Sequence, residues 1–372
     1  MISHRVWSVS LYRYLYSHGY GIPDILFYFA TFYAFGAFGL NGVVGRLIAR
    51  FGPKHIIGTS FFLQMAFFVL LASLPEYGWP LWLLAFIARL AGSCFYLAFH
   101  VIFSKIKHSE RGGQELGFMS IVSRIASFVG PIVGGVVATA FGAQSILIVA
   151  AAIFGLAVIP LVISREPIKN QQKFTYRGMP IRKIRRALAV SAFSNLENSL
   201  TSWLWPLYVS IFIFANKPYL KLGIVSSIGT AVSITVAFAA GRLIDNKKAH
   251  ELLSLSVIMN SAVHLLRLLA VGLKSIILIN IVGESITTSY RMTFTKGYYD
   301  SADDVTDYRI AYIVLTETMT SGLRSVVWAG LGVAALYWPN DQKTVVASGF
   351  VLAAIVSLLV LFQKFPALQK QT

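Results

Sequence analysis

The sequence is short of acids, short of charge in general, and almost devoid of cysteine. Asp and Glu number 15 against 32 Lys and Arg, and charged residues make up only 13% of the 372 positions. A soluble domain is usually nearer a quarter charged, so this composition cannot dress a wholly water-facing surface. The 56% of hydrophobic residues therefore needs an apolar solvent, the lipid bilayer. The single cysteine, Cys94, excludes a disulfide framework and a Cys-based metal site and reads as a small buried apolar residue. Neither GxxxxGK(S/T) nor GxGxxG occurs, which excludes the phosphate-cradling loops of a nucleotide-driven pump. HExxH is absent too, so no metal site and no cofactor are expected. The start, "MISHRVWSVSLYRYLYSHGY", is basic but lacks an apolar stretch ending in a small-residue cleavage site, so it does not read as a signal peptide.

What the chain has is a series of long apolar runs. Roughly 20 apolar residues cross about 30 Å of hydrocarbon, and runs of that kind lie at about 23–47, 55–75, 80–104, 116–140, 143–163, 188–214, 221–244, 250–272, 274–296, 309–337 and 343–363. All eleven should be helices, because lipid offers the backbone no partner, whereas a barrel would show alternating segments of about 10 residues. The net charge of +17 sits between these runs, not on an aromatic-interleaved polar segment, so nucleic acid is not an expected partner. Loops carrying Arg46, Arg50 and Lys54, then Lys105, Lys107 and Arg111, then Lys247, Lys248 and Lys296 alternate with weakly charged turns, "LPEYGWP", "FGAQS" and "YWPNDQK". The positive-inside rule assigns the basic set to the cytoplasm, as expected of a multi-pass protein of the plasma membrane. Residues 164–187 carry eight Lys or Arg and read as a cytoplasmic linker between an N-terminal bundle, 1–163, and a C-terminal bundle, 188–372.

The halves repeat one another. "GRLI" opens both "GRLIARFGPKH" at 45 and "GRLIDNKKAH" at 241, an offset of 196, and "FSK" at 103–105 is echoed by "FTK" at 294–296, an offset of 191. Agreement in order, offset and position at span ends points to a duplicated unit. The same offset places the partner of span 188–214 at the very start of the chain, where Val6–Tyr16 is too short to cross a bilayer. The expected fold is all-α, two pseudo-symmetric six-helix bundles with most of the first helix missing. A shortened gene start is the preferred account, a genuine eleven-helix protein the alternative.

Two six-helix halves, a basic central loop and a Gly-rich basic hinge after the second and eighth helices resemble the major facilitator superfamily. The hinge of that family runs Gly, three residues, Asp, Arg, one residue, Gly, Arg, Lys; here Gly45, Arg50, Gly52 and Lys54 match, while Ala49 stands at the Asp position. The second copy keeps Gly241, Arg242 and the acid, Asp245, but loses the second Gly. The resemblance implies a charge-paired latch, which Ala49 leaves incomplete in the first half. "GPIVGG", with Gly130, Pro131, Gly134 and Gly135, resembles an element of the family's antiporters and implies outward transport. On residue chemistry alone its small residues allow close helix packing, and the proline bends the helix. Arg89 followed by Gly92 resembles, one residue short, an Arg-plus-Gly motif of proton-coupled drug exporters.

Ionisable residues at membrane depth are costly and mark sites by default. Arg89, Arg124, Glu197, Glu284, Glu317 and Arg324 lie well inside spans, three of each sign, a balance that suggests pairing around one central cavity. The resemblance makes the fourth, seventh and tenth helices cavity-lining, which would place Arg89, Glu197 and Glu284 there. Glu317 and Arg324 are two turns apart on one helical face. "SNLENSLTSWLW" is the most polar span, with Asn195 and Asn198 on one stripe and Trp203 placed to stack on a substrate. Arg291, near a span end, is expected to snorkel, and His100 and His264 to serve as helix–helix hydrogen-bonding groups. The expected function is a secondary transporter of a small solute by alternating access, proton-coupled through one of the three Glu residues, monomeric, and an exporter by the "GPIVGG" likeness. A non-transporting sensor or relic on the same fold is the alternative, and an enzyme is not expected.

Overall fold

Lipid leaves the backbone only its own hydrogen bonds, and the chain forms helices accordingly. The computed structural model describes residues 11–106, 112–164, 174–214, 218–245, 249–303 and 308–363, and no strand occurs among them. A short α1 covers 11–17. Long columns follow: α2 (Ile22–Phe51), α3 (Pro53–Ala72), α4 (Leu81–Ile106), α5 (Gly112–Phe141), α6 (Ala143–Ile163), α7 (181–213) and α8 (Pro218–Asp245). Then come α9 (Ala249–Leu266, continued by the 3-10 turn Arg267–Leu269), α10 (Leu273–Asp303), α11 (Arg309–Tyr337) and α12 (Gln342–Leu359). The columns α2 to α12 correspond one to one with the eleven apolar runs.

Eight helical stretches among the described residues are long and apolar enough to cross a membrane. The columns α7 and α10, which carry polar residues inward, are not among them, and α5 contributes only the shorter apolar stretch Ile125–Phe141. Two boundaries differ from expectation by seven residues: α10 runs on to Asp303, not 296, and α7 begins at Ile181, not 188. Ile184 and Leu188, one turn apart, are buried, so the basic residues Arg182, Lys183, Arg185 and Arg186 ride on the outward face of a helix already committed to the core.

Tight turns join the columns where only glycine fits. Gly52 between α2 and α3 has φ 85° and ψ 152°, and Gly142 between α5 and α6 has φ 86° and ψ 159°, a region closed to residues with a Cβ. Two helices are broken internally. In α2 the stretch Gly36–Leu40 widens into a π-type turn with Gly39 at φ 116°, and in α7 similar turns occupy Leu200–Leu204 and Val209–Ile213.

The order of elements is consistent with six plus six, and the two sets meet along two seams, α2 with α11 and α5 with α8. Along the first seam the helices run antiparallel. Phe27 lies against Gly332, Ser325 donates to the Ala30 carbonyl at 2.9 Å, Ala37 lies opposite Gly322, and Val314 covers Gly45. On the second, Gly135 lies under the Tyr219 backbone, Gly223 under the Pro131 carbonyl, and Ser227 donates to the Phe128 carbonyl at 2.6 Å. "GPIVGG" is thus the N-terminal bundle's side of a close helix crossing. At the end that carries the 45–55 hinge, Val44 and Ile48 pack with Ile310 and Val314. At the other end a large aromatic core joins Phe29 to Trp203 and Trp328, with centroids 4.8 and 4.7 Å apart.

Candidate functional site

The inner charges form two groups instead of one. The first lies at the α2–α11 seam. Arg89 of α4 donates through Nη2 to Asn41 at 3.0 Å, Ser321 at 2.9 Å and Glu317 at 3.2 Å. Arg324, on the same helix as Glu317, stands 3.6 Å from the same carboxylate oxygen, Oε1. It also donates through Nε and Nη2 to the Asn195 carbonyl of α7 at 3.0 and 2.7 Å. The Tyr33 ring lies 5.9 Å from the Arg89 guanidinium carbon and 5.0 Å from that of Arg324. The first turn of the α2 bulge makes this possible. A Cβ on Gly36 would come within 2.5 Å of Arg89 Nε, so only glycine lets the guanidinium lie on the helix backbone there.

The second group is sealed inside the C-terminal bundle around Glu197, whose side chain is 0% exposed. Its Oε1 accepts from Thr201 at 2.7 Å, Asn260 at 3.1 Å and His264 at 3.0 Å, and its Oε2 accepts from Arg291 at 2.9 Å. Arg267 lies 2.9 Å from His264 Nδ1. Because a guanidinium only donates, Nδ1 must accept, which assigns the neutral tautomer with its proton on Nε2, donated to Glu197. His264 is therefore the helix–helix hydrogen-bonding group its sequence context suggested.

Two expectations are corrected. Arg291 does not snorkel to the surface but pairs with Glu197, because a buried carboxylate in reach offers more than the interface. One shared, charge-balanced centre is replaced by two, and the addition of Arg267 and Arg291 leaves cations in excess. The signal for the second group lies in the spacing Asn260, His264, Arg267, which at steps of four and three shares one helix face; a histidine weighed alone does not reveal it. Asn195 contributes its backbone carbonyl and Asn198 accepts from Ser202 at 3.3 Å. Trp203 stacks on Phe29 within the core. Glu284 lies on α10 against Gly229 of α8, one turn from Asn280, whose side-chain oxygen accepts from Trp205 Nε1 at 2.8 Å. His100 stands between Phe99 and Tyr298. The side chains of Arg124, Arg242 and Asp245 and the surroundings of Gly241 lie outside the described residues.

At the hinge, Gly45 is covered by Val314 and Phe174, Gly52 makes the turn, and the Lys54 ammonium donates to the Ser164 carbonyl. Arg50 lies 5.2 Å over the Phe51 ring. With Ala49 in place of the acid, the hinge end is held by apolar packing against α11 and by this lysine bond. Two open pockets lie at the periphery. One of about 520 Å³ lies beside α1 between Arg13, His18, Gln144 and Tyr219, and another of about 400 Å³ lies under the hinge by Cys94.

Two bundles of membrane-spanning helices meeting at a charged seam are the architecture of a membrane transporter fold. The Major Facilitator Superfamily model matches residues 9–302, and the chain belongs to that family. Among solved structures, a crystal structure of the nucleoside transporter NupG is similar with a TM-score of 0.67 at 13% identity, covering 99% of this chain and 96% of that one. A mutant form of the same transporter gives 0.68 at 12% identity, covering 98% and 95%. These likenesses are of fold. No curated protein matches the chain by sequence. The family and fold make the protein a transporter, not an enzyme.

Proposed function

We propose that this protein is a secondary active transporter of a small solute that works by alternating access about the Arg89–Glu317–Arg324 site, with proton exchange at Glu317. One observation carries the reading. The Glu317–Arg89 bond joins α11 of the second bundle to α4 of the first at 3.2 Å, and the Glu317 side chain keeps 24% exposure. Rocking of the bundles must break that bond and so changes the charge that faces the carboxylate in each half of the cycle. Glu197 is completely buried among partners of its own bundle and moves with them, whereas Glu317 is tied to the opposite bundle. The protein acts as a monomer in the plasma membrane, its basic linker on the cytoplasmic side. Outward transport rests on the resemblance of "GPIVGG" alone, and Gly135 of that stretch already packs α5 on α8.

The test uses proteoliposomes with an imposed pH gradient and uridine as a first neutral probe, since the structures of similar fold belong to a nucleoside transporter, followed by organic anions and cations. Gradient-driven accumulation of a solute, lost in Glu317→Gln with counterflow exchange retained, is the expected result. Flux indifferent to both the gradient and that substitution removes the proton from the scheme.

A further inference from the structure

The charges at the seam do not cancel. Arg89 and Arg324 are 4% and 8% exposed, and both approach the same oxygen of Glu317, at 3.2 and 3.6 Å. Two guanidiniums against one carboxylate leave one positive charge, and no other acid among the described residues forms an ion pair with either. Hydrogen-bonding capacity is left over as well. Arg89 Nε is buried with no acceptor among the described residues. Arg324 directs Nε and Nη2 at one carbonyl and leaves Nη1 with the 3.6 Å contact alone. The Phe32 and Tyr33 rings supply π faces at 5.0–5.9 Å, which soften a cation but carry no formal charge. An uncompensated ion in a low-dielectric seam is unfavourable by several kcal/mol, and a guanidinium fork suits a carboxylate or phosphate.

We infer that Arg89 and Arg324 form the anion-binding element of the transport site and that the solute is a small organic anion bearing a carboxylate or phosphate group. The inference rests on the transport reading and names the substrate class for the same site. A monoanion seated beside Glu317 brings the centre to neutrality. Protonation of Glu317, which His100 and Tyr96 of α4 also face, raises the positive excess and strengthens anion binding, so proton and anion load together and travel in the same direction. A neutral or cationic solute gains nothing from this arrangement.

The experiment titrates the full chain in nanodiscs by intrinsic tryptophan fluorescence with lactate, succinate, inorganic phosphate and glucose 6-phosphate, and with uridine and choline as neutral and cationic probes. Saturable binding of one of the anions is expected. Arg89→Gln or Arg324→Gln should weaken it at least tenfold, Arg→Lys less so, and Glu317→Gln should tighten it several-fold and flatten its pH dependence. Tightening is a result that misfolding cannot produce. Failure of every anion to bind, or anion binding weakened by Glu317→Gln, overturns the inference. Liposome flux separates it from the transport reading. Flux of uridine or choline without anion binding removes the anion site and leaves a transporter. Anion binding with the expected response to the variants, but no flux under any gradient, supports the site and removes the transporter.

Discussion

Replacement of Gly36 by alanine isolates the fit between α2 and the central arginine. The backbone at Gly36 is ordinary right-handed helix, φ −66° and ψ −39°, so alanine meets no torsional strain and should gain up to about 1 kcal/mol of helical propensity. The added methyl would stand 2.5 Å from Nε and Nη2 of Arg89 and 2.6 Å from Cζ. Ordinary non-bonded contact is about 3.5 Å, so the guanidinium must retreat by roughly 1 Å. Its bonds to Ser321, Asn41 and Glu317, now 2.9, 3.0 and 3.2 Å, would pass out of hydrogen-bonding range. Breaking a buried pair costs about 3–5 kcal/mol, which leaves a net loss of about 2–4 kcal/mol once the helical gain is subtracted. Thermal unfolding in detergent measures this, with Gly92→Ala as the control. No atom lies within 4 Å of a Cβ at Gly92, so that variant should melt at or above the parent temperature. In an Arg89→Ala background Gly36→Ala should turn harmless. A Gly36→Ala variant that melts like the parent, or a penalty that persists without Arg89, would refute the argument.

A Cβ on Gly322 would lie 3.9 Å from Ala37 Cβ, inside disulfide range. In a Cys94→Ser background the pair Ala37→Cys and Gly322→Cys should therefore cross-link on oxidation and stop flux until reduced; an oxidised pair that transports normally would show that this seam does not part. Glu197→Gln removes the carboxylate to which Thr201, Asn260, His264 and Arg291 all donate and should cost about 3–5 kcal/mol in thermal stability; a variant that melts like the parent would dissolve the second group. Gly52→Ala forces a Cβ into φ 85° and should lower stability by about 1–3 kcal/mol, detectable as a lower melting temperature, while Gly58→Ala, with open space around its Cβ position, should not.

The columns themselves were legible because hydropathy and charge alternate on the scale of a bilayer, and both glycine turns sit where the runs end. Glu317 and Arg324 were legible as neighbours because seven residues make two turns. Arg89 was legible as an inner charge, but its tie to Glu317 was not, since 228 residues separate them and no local spacing records which helices cross. Arg291 misled for a related reason. Distance from a span end sets the cost of burying a charge, but a carboxylate on another helix decides whether burial is favourable. The start of α7 was illegible because its first turns are basic on one face and apolar on the other, which a sliding average over both faces reads as loop.

The first seam has one more consequence. Its contacts recur from Phe27 against Gly332 to Gly45 under Val314, so this groove is closed towards both of its ends, like an airlock with both doors shut. Asn41 and Ser321, which flank Arg89, each have 0% exposure, and a solute arriving from either compartment meets helix against helix before it meets a guanidinium. Amide exchange at the two ends of α2 in the resting protein would then report which door opens first, and the faster end names the compartment the carrier waits upon.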